Sequence, residues 1–282
     1  MRQKLLPIYL FTILWSTQIF AQKTLEVGGF IGISNYLGDL QQTKFERNEN
    51  NIALGFFTRL NLTKKVSLKF SFNKGEISGR DSNYRNLESV RNRNLSFRSH
   101  IFEFALTNEI TFVSFGDNEK RIAAPFIFLG ISGFYFNPQA VYDGRWIDLQ
   151  PLGTEGQTLP NSGMSKYKLF QIGIPFGIGF NINVGKNANI GFEVGLRKTF
   201  TDYLDDISSN YPDMEALQNQ NPTAAKLSFR MPEITGNYHG NPAGELRGSS
   251  DKKDLYFMGG ITFSAYVEEW FAGKNKFKKR KK

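Results

Sequence analysis

Seven charged residues stand on segments in which every second position is apolar: Glu26, Glu103, Glu109 and Glu193 against Arg59, Lys69 and Arg197. Four carboxylates on one surface could work as general acids and bases. With three cations in the same set they predict a structural charge network instead, because paired carboxylates keep ordinary protonation and open no pocket. His100 and His239 are the only histidines, and Ser99 adjoins the first. A serine and a histidine could serve lipid hydrolysis or acyl transfer, yet no spaced motif accompanies them. TDYLDDIS at 201–208 groups Asp202, Asp205 and Asp206, oxygen ligands of the kind that calcium takes. Their spacing matches no calcium loop, and the segment reads as a solvated strand end. No catalytic residue, cofactor or metal ligand is expected.

The elements that must carry these charges have a period of two. FQIGIPFGIGFNINV at 170–184 places Phe170, Ile172, Ile174, Phe176, Ile178, Phe180, Ile182 and Val184 on one face, with Gln, Gly, Pro and Asn between them. Such alternation is that of an extended strand with one apolar and one polar face. It recurs in segments that predict eight strands, at 24–36, 51–62, 66–78, 96–115, 122–137, 167–184, 189–204 and 254–267. APFIFLGISGFYF at 124–136 is apolar on both faces, which leaves its orientation open. The gaps between strands alternate long and short, as in outer-membrane barrels with short periplasmic turns and long extracellular loops. The expected fold is all-β: an eight-stranded antiparallel up-and-down transmembrane β-barrel. A soluble carrier barrel would point the apolar set inward. The polar set here is too rich in glycine and too evenly charged to coat a water-facing surface, so it is assigned to a narrow lumen and the Phe/Ile set to lipid.

The chain of 282 residues has no cysteine, which excludes disulfides, thiolate metal sites and a lipid-carrying cysteine. Arg2 and Lys4 precede an apolar run that ends in AQ, so residues 1–21 read as a secretory signal, 22–270 as the barrel and 271–282 as a basic periplasmic tail. The signal and the stretch KNKFKKRKK account for the whole net charge of +9, and residues 22–273 are formally neutral. A nucleic-acid partner is not expected, nor is a small-molecule substrate. Lys64, Lys65, Lys120, Arg121 and Lys186 in the short turns, with Lys274, Lys278 and Arg280 in the tail, would make one rim basic and suit it to docking a partner.

Four segments carry a more specific likeness: EVGGFIGISNYLGDL at 26–40, FNPQAVYDGRWIDLQPLGTEGQ at 136–157, RKTFTDYLDDIS at 197–208 and GNPAGELRGSSDKKDLYFMGGITFS at 240–264. In this order, behind a signal sequence, they resemble the PorG family of outer-membrane barrels in the type IX secretion machinery of Bacteroidetes. The resemblance implies a non-enzymatic integral outer-membrane protein, and the even strand count behind a secretory signal puts both termini on the periplasmic side. Its partners would be the ring of the PorK lipoprotein and PorN, and it would serve export of cargo with C-terminal sorting signals. The competing expectations are a surface adhesion or binding barrel acting through its long loops, and a small lipid-modifying enzyme.

Overall fold

A computed structural model describes residues 24–41, 45–84, 86–113, 123–184, 187–236 and 241–267. The eight strands that close the barrel are β1 (Thr24–Leu37), β2 (Asn51–Asn61), β3 (Val66–Arg80), β4 (Ser96–Thr111), β5 (Ala123–Tyr142), β7 (Phe170–Val184), β8 (Ala188–Thr199) and β9 (Leu255–Tyr266). All neighbours are antiparallel, and the β4–β5 and β1–β9 pairings complete the circle, so no strand of the eight is left with an open edge. The short β6 (Arg145–Asp148) stands outside the circle as a hairpin on the extended end of β5.

Strand bounds differ from the sequence reading at two informative places. β5 continues past residue 137 to Tyr142 and turns back through Asp143 and Gly144, at φ 50° and 72°, the left-handed pair that a two-residue hairpin requires. β8 stops at Thr199 rather than at 204, because Thr201–Ser208 leaves the wall and folds over the barrel mouth.

The two faces of the wall are inverted relative to a soluble protein. Outward side chains are apolar and open, with Phe56, Ile131 and Ile178 each more than 60% exposed, while Arg59 and Glu103 on the inner face are 2% and 0% exposed. β5 resolves its ambiguity with even positions inward: Phe126, Phe128, Phe134 and Phe136 are buried, and Ile127, Leu129, Ile131 and Tyr135 face out. The lumen is therefore less polar than a simple division of apolar outside and polar inside predicts. Glycines on the facing strands make room for these rings: a Cβ on Gly177 would stand 2.6 Å from the Phe128 ring, and one on Gly195 closer still.

Inside, the barrel has two storeys. Phe30, Ile77, Ile101, Phe134, Phe136, Tyr256 and Met258 form an apolar core that continues into Leu40, Leu204 and Ile207 of the long loops. Below it, toward the short turns, lie the charged residues. Three further helices, α2 (Met214–Gln220), α3 (Pro222–Ser228) and α4 (Pro232–Thr235), belong to the loop before β9, and α1 (Glu88–Arg93) to the loop between β3 and β4. Asp213 and Asn221 cap α2 and α3 by accepting backbone N–H groups of the first turn. Thr24 pairs with Asn61 and Glu26 with Tyr266, so the described chain enters and leaves at the end that carries the short turns.

Candidate functional site

Alternation along β1, β2, β3, β4 and β8 projects all seven luminal charges inward, where they form three groups. Arg59 bridges two strands' carboxylates: Nη1 donates to Glu26 Oε2 at 3.1 Å, and Nε lies 2.8 Å from Glu109 Oε2, off its N–H direction and so an ion contact. Lys69 Nζ donates to Glu193 at 2.6 Å across the barrel, and Arg197 Nε donates to Glu103 at 3.2 Å. Neutral partners complete the shells. Asn61, Asn189 and Ser264 donate to Glu26, and Asn73 and Tyr256 donate to Glu103. The Phe57 ring stands 4.5 Å from Lys69 Nζ and 5.1 Å from the Arg59 guanidinium carbon, covering both cations with a π face. The space left among Lys69, Asn73, Glu109, Glu193 and Arg197 is about 10 Å3, the room of roughly one water molecule. Every carboxylate of this set meets a cation, with four carboxylates on three cations and so one formal negative charge in excess, and little space is left between them.

The other end holds a second polar assembly, a plug made by loops far apart in sequence. Glu155 accepts from Ser208 N, Ser209 N and Ser209 Oγ, and from Arg247 Nη1 at 3.0 Å. Asp206 accepts from Thr154 Oγ1 and from Tyr167 Oη at 2.7 Å, and its backbone carbonyl takes a second bond from Arg247. Asp39 accepts from Ser249 N at 2.6 Å, while Arg93 grips Asp81 with two nitrogens and the Arg247 carbonyl with a third. Burial raises the Asp206 carboxyl to about 6, against the pull of Arg247, and raises Asp202 to about 6 as well.

The expected solvated strand end at 201–208 is thus corrected: Asp202, Asp205 and Asp206 are buried, because Tyr36 at the end of β1, Thr154 and Tyr167 from the loop before β7, and Ile207 and Ser208 of their own loop donate to them. Among the described residues no group of His, Cys, Asp and Glu is arranged to hold a metal ion. Arg247→Ala is expected to leave Glu155 and Asp206 buried without their cation, opening residues 201–211 to protease while the barrel wall stays resistant. Equal cutting in variant and parent would show that Arg247 does not hold the plug.

His100 and Ser99 are neighbours in sequence on opposite faces of β4. His100 looks outward, with Nδ1 3.1 Å from Glu76, whereas Ser99 is buried inside and accepts from Asn137 N. They cannot act on one substrate, and His239 lies outside the described residues. Lys64 and Lys65 are exposed on the turn between β2 and β3, where Thr63 Oγ1 accepts from Lys65 N and Val66 N. Lys120, Arg121, Lys186 and the tail with Lys274, Lys278 and Arg280 lie outside the described residues, as does the predicted signal. An open groove of about 650 Å3, which no local sequence pattern signals, runs over the loops between Leu159, Met164, Asn210, Pro212 and Leu246.

The sequence profile of a family described as a domain of unknown function, DUF6089, matches residues 3–227. The chain belongs to the DUF6089 family. The matched stretch ends within α3, so Arg247, Asp254 and β9 lie beyond it. A comparison with curated proteins finds no match. Among solved structures, the N-terminal β-barrel domain of Pseudomonas aeruginosa OprF is similar at 10% identity, covering 87% of this chain and all of that one, with a TM-score of 0.37. Neisserial surface protein A is similar at 5% identity over 86% of this chain and 96% of that one, with a TM-score of 0.42. Ail of Yersinia pestis, in complex with the heparin analogue sucrose octasulfate, is similar at 9% identity over 86% and 97%, with a TM-score of 0.39. At such scores these likenesses add nothing to the closed eight-stranded barrel that the strand pairing of this DUF6089 chain defines by itself.

Proposed function

We propose that this chain is an integral, non-enzymatic outer-membrane protein that tethers a periplasmic assembly. The observation that carries the membrane reading is the inversion of faces, an open apolar exterior around a buried interior of paired charges and aromatic rings. A bilayer rewards that arrangement and water penalises it. The short turns and both chain ends would then face the periplasm, with the plug outside. Of the basic residues proposed for docking, Lys64 and Lys65 stand exposed at that end.

The finer reading is a supporting role in type IX secretion, holding the PorK and PorN ring during export of cargo with C-terminal sorting signals. What supports it is the origin of the plug. Tyr36 and Asp39, Thr154 and Glu155, Asp202, Asp205 and Asp206, and Arg247 and Asp254 come in turn from the four segments that resemble the PorG family. The resemblance therefore follows an interlocking structure and not scattered barrel words. Replacing Lys64, Lys65, Lys120, Arg121 and Lys186 with neutral residues and deleting residues 274–282 is expected to leave a folded, inserted barrel that no longer copurifies with PorK and PorN. Secretion of sorting-signal cargo should fall with it. Normal copurification in high salt would sink the basic-rim contact, since charge attraction is screened over about 8 Å at physiological ionic strength. The loop groove favours a second reading, a surface-binding barrel; adhesion lost with secretion intact in a loop-deleted strain would select it.

A further inference from the structure

Three side chains that neither the luminal network nor the docking rim uses meet where the plug enters the barrel. Tyr36 lies at the end of β1, Asp205 in the segment after β8 and Asp254 just before β9, and all three are fully or almost fully buried. Tyr36 Oη is 2.5 Å from Asp205 Oδ2 and 3.1 Å from Asp254 Oδ1. The remaining carboxylate oxygens are occupied, Asp205 Oδ1 by Ile207 N and Asp254 Oδ2 by Leu204 N, each at 2.9 Å. Among the described residues no cation is paired with either carboxyl.

A phenol has one hydrogen to give. The shorter contact has the length of a hydroxyl donating to an ionised carboxylate, so that hydrogen belongs to Asp205. The longer contact then lacks a hydrogen unless Asp254 supplies it. We propose that Asp254 holds a proton at neutral pH, donating it from Oδ1 to Tyr36 Oη, and that this proton latches the plug onto the barrel.

The surroundings favour the neutral form. Asp39 faces both carboxyls with like charge and Asp202 faces Asp254; Arg247, bound to Glu155 and Asp206, favours the ionised form of Asp205, and Arg93 is committed to Asp81. Lys252 and Lys253 act on Asp39 and Asp202 from the loop before β9. Burial, with these neighbours, raises both carboxyls above the usual range; joined through Tyr36, they titrate as a pair that keeps one proton, and the short contact at Asp205 leaves it on Asp254. The approach of the chain is equally specific: a Cβ on Gly38 would collide with both Tyr36 Oη and Asp254 Oδ1, so the turn after β1 must carry glycine for the latch to form.

The sign of the pH effect follows from proton counting. An opened plug hydrates Asp254 and returns it to an ordinary value of about 4, so opening releases one proton between that value and the raised one. Over this window the opening equilibrium rises up to about tenfold per pH unit, and it levels off once the closed form also loses the proton. Asp202 and Asp206 add to the slope only up to about pH 6, where they too are ionised in the closed form.

The test uses the full chain refolded in detergent. Infrared spectra at neutral pH are expected to show a buried protonated carboxyl band that Asp254→Asn removes and Asp202→Asn keeps. Hydrogen exchange of the peptide containing Leu204 and Ile207, corrected for its base-catalysed intrinsic rate, should open more at each step above about pH 6 in the parent. Asp254→Asn, whose amide donates to Tyr36 and whose carbonyl accepts from Leu204 N, should stay closed and flat over the same range. No carboxyl band in the parent, or a parental pH slope retained in Asp254→Asn, would overturn the latch.

Discussion

Arg59→Ala is expected to lower the stability of the barrel by about 3–5 kcal/mol, because it removes one partner of a buried charge group and leaves the other side ionised in a dry lumen. Glu26 would keep Asn61, Asn189 and Ser264 as donors, so the larger cost falls on Glu109, whose ion contacts with Arg59 are its principal support. That asymmetry makes a specific demand on the second variant. Adding Glu109→Gln to Arg59→Ala should recover a large part of the loss, since a neutral amide needs no counter-ion, whereas adding Glu26→Gln should recover less. Equilibrium unfolding in urea of the refolded protein in lipid vesicles measures all three. A single-variant loss below about 1 kcal/mol would mean that water reaches Arg59 and that the lumen is not sealed.

The strands and the luminal charges were legible in the sequence because both depend on a local rule. A side-chain period of two reports the face on which Glu26 or Arg197 stands without any knowledge of its partner. β5 was illegible for the converse reason: with Phe at even positions and Ile or Leu at odd ones, both faces are apolar, and only the glycines of β7 and β8 reveal where large rings fit. The hairpin to β6 has a local signal in Asp143-Gly144, a pair suited to a two-residue turn, but the strand it leads into is only four residues long. The plug could not have been read in this way. Tyr36 and Asp205 are 169 residues apart, and Glu155 and Arg247 are 92. Nothing local distinguishes a buried TDYLDDIS from a solvated one; four segments whose words recurred together were the only sign that they share a structure.

Phe176→Arg tests the other half of the inversion. Phe176 stands near the middle of β7 and faces outward, 38% exposed, beside Leu129 of β5 and Leu196 of β8. In water, an arginine at such a position would be hydrated at once and would cost a few tenths of a kcal/mol at most. At the middle of a bilayer the guanidinium must stay in hydrocarbon or pull water and headgroups toward it, and the expected loss is about 2–4 kcal/mol. Asn181→Arg, on the inner face of the same strand, supplies the contrast. Its charge enters a lumen of three cations and four carboxylates that lipid does not reach, so its cost depends on packing against Gly191 and Thr262 and on those charges, and not on the surrounding lipid. The two variants therefore separate by solvent. Changing the acyl chain length of the vesicles should alter the Phe176→Arg loss, because the depth of hydrocarbon over that site changes, and should leave the Asn181→Arg loss unaltered. If Phe176→Arg is as stable as the parent in vesicles of every thickness, the apolar exterior does not meet lipid and the outer-membrane assignment falls with it.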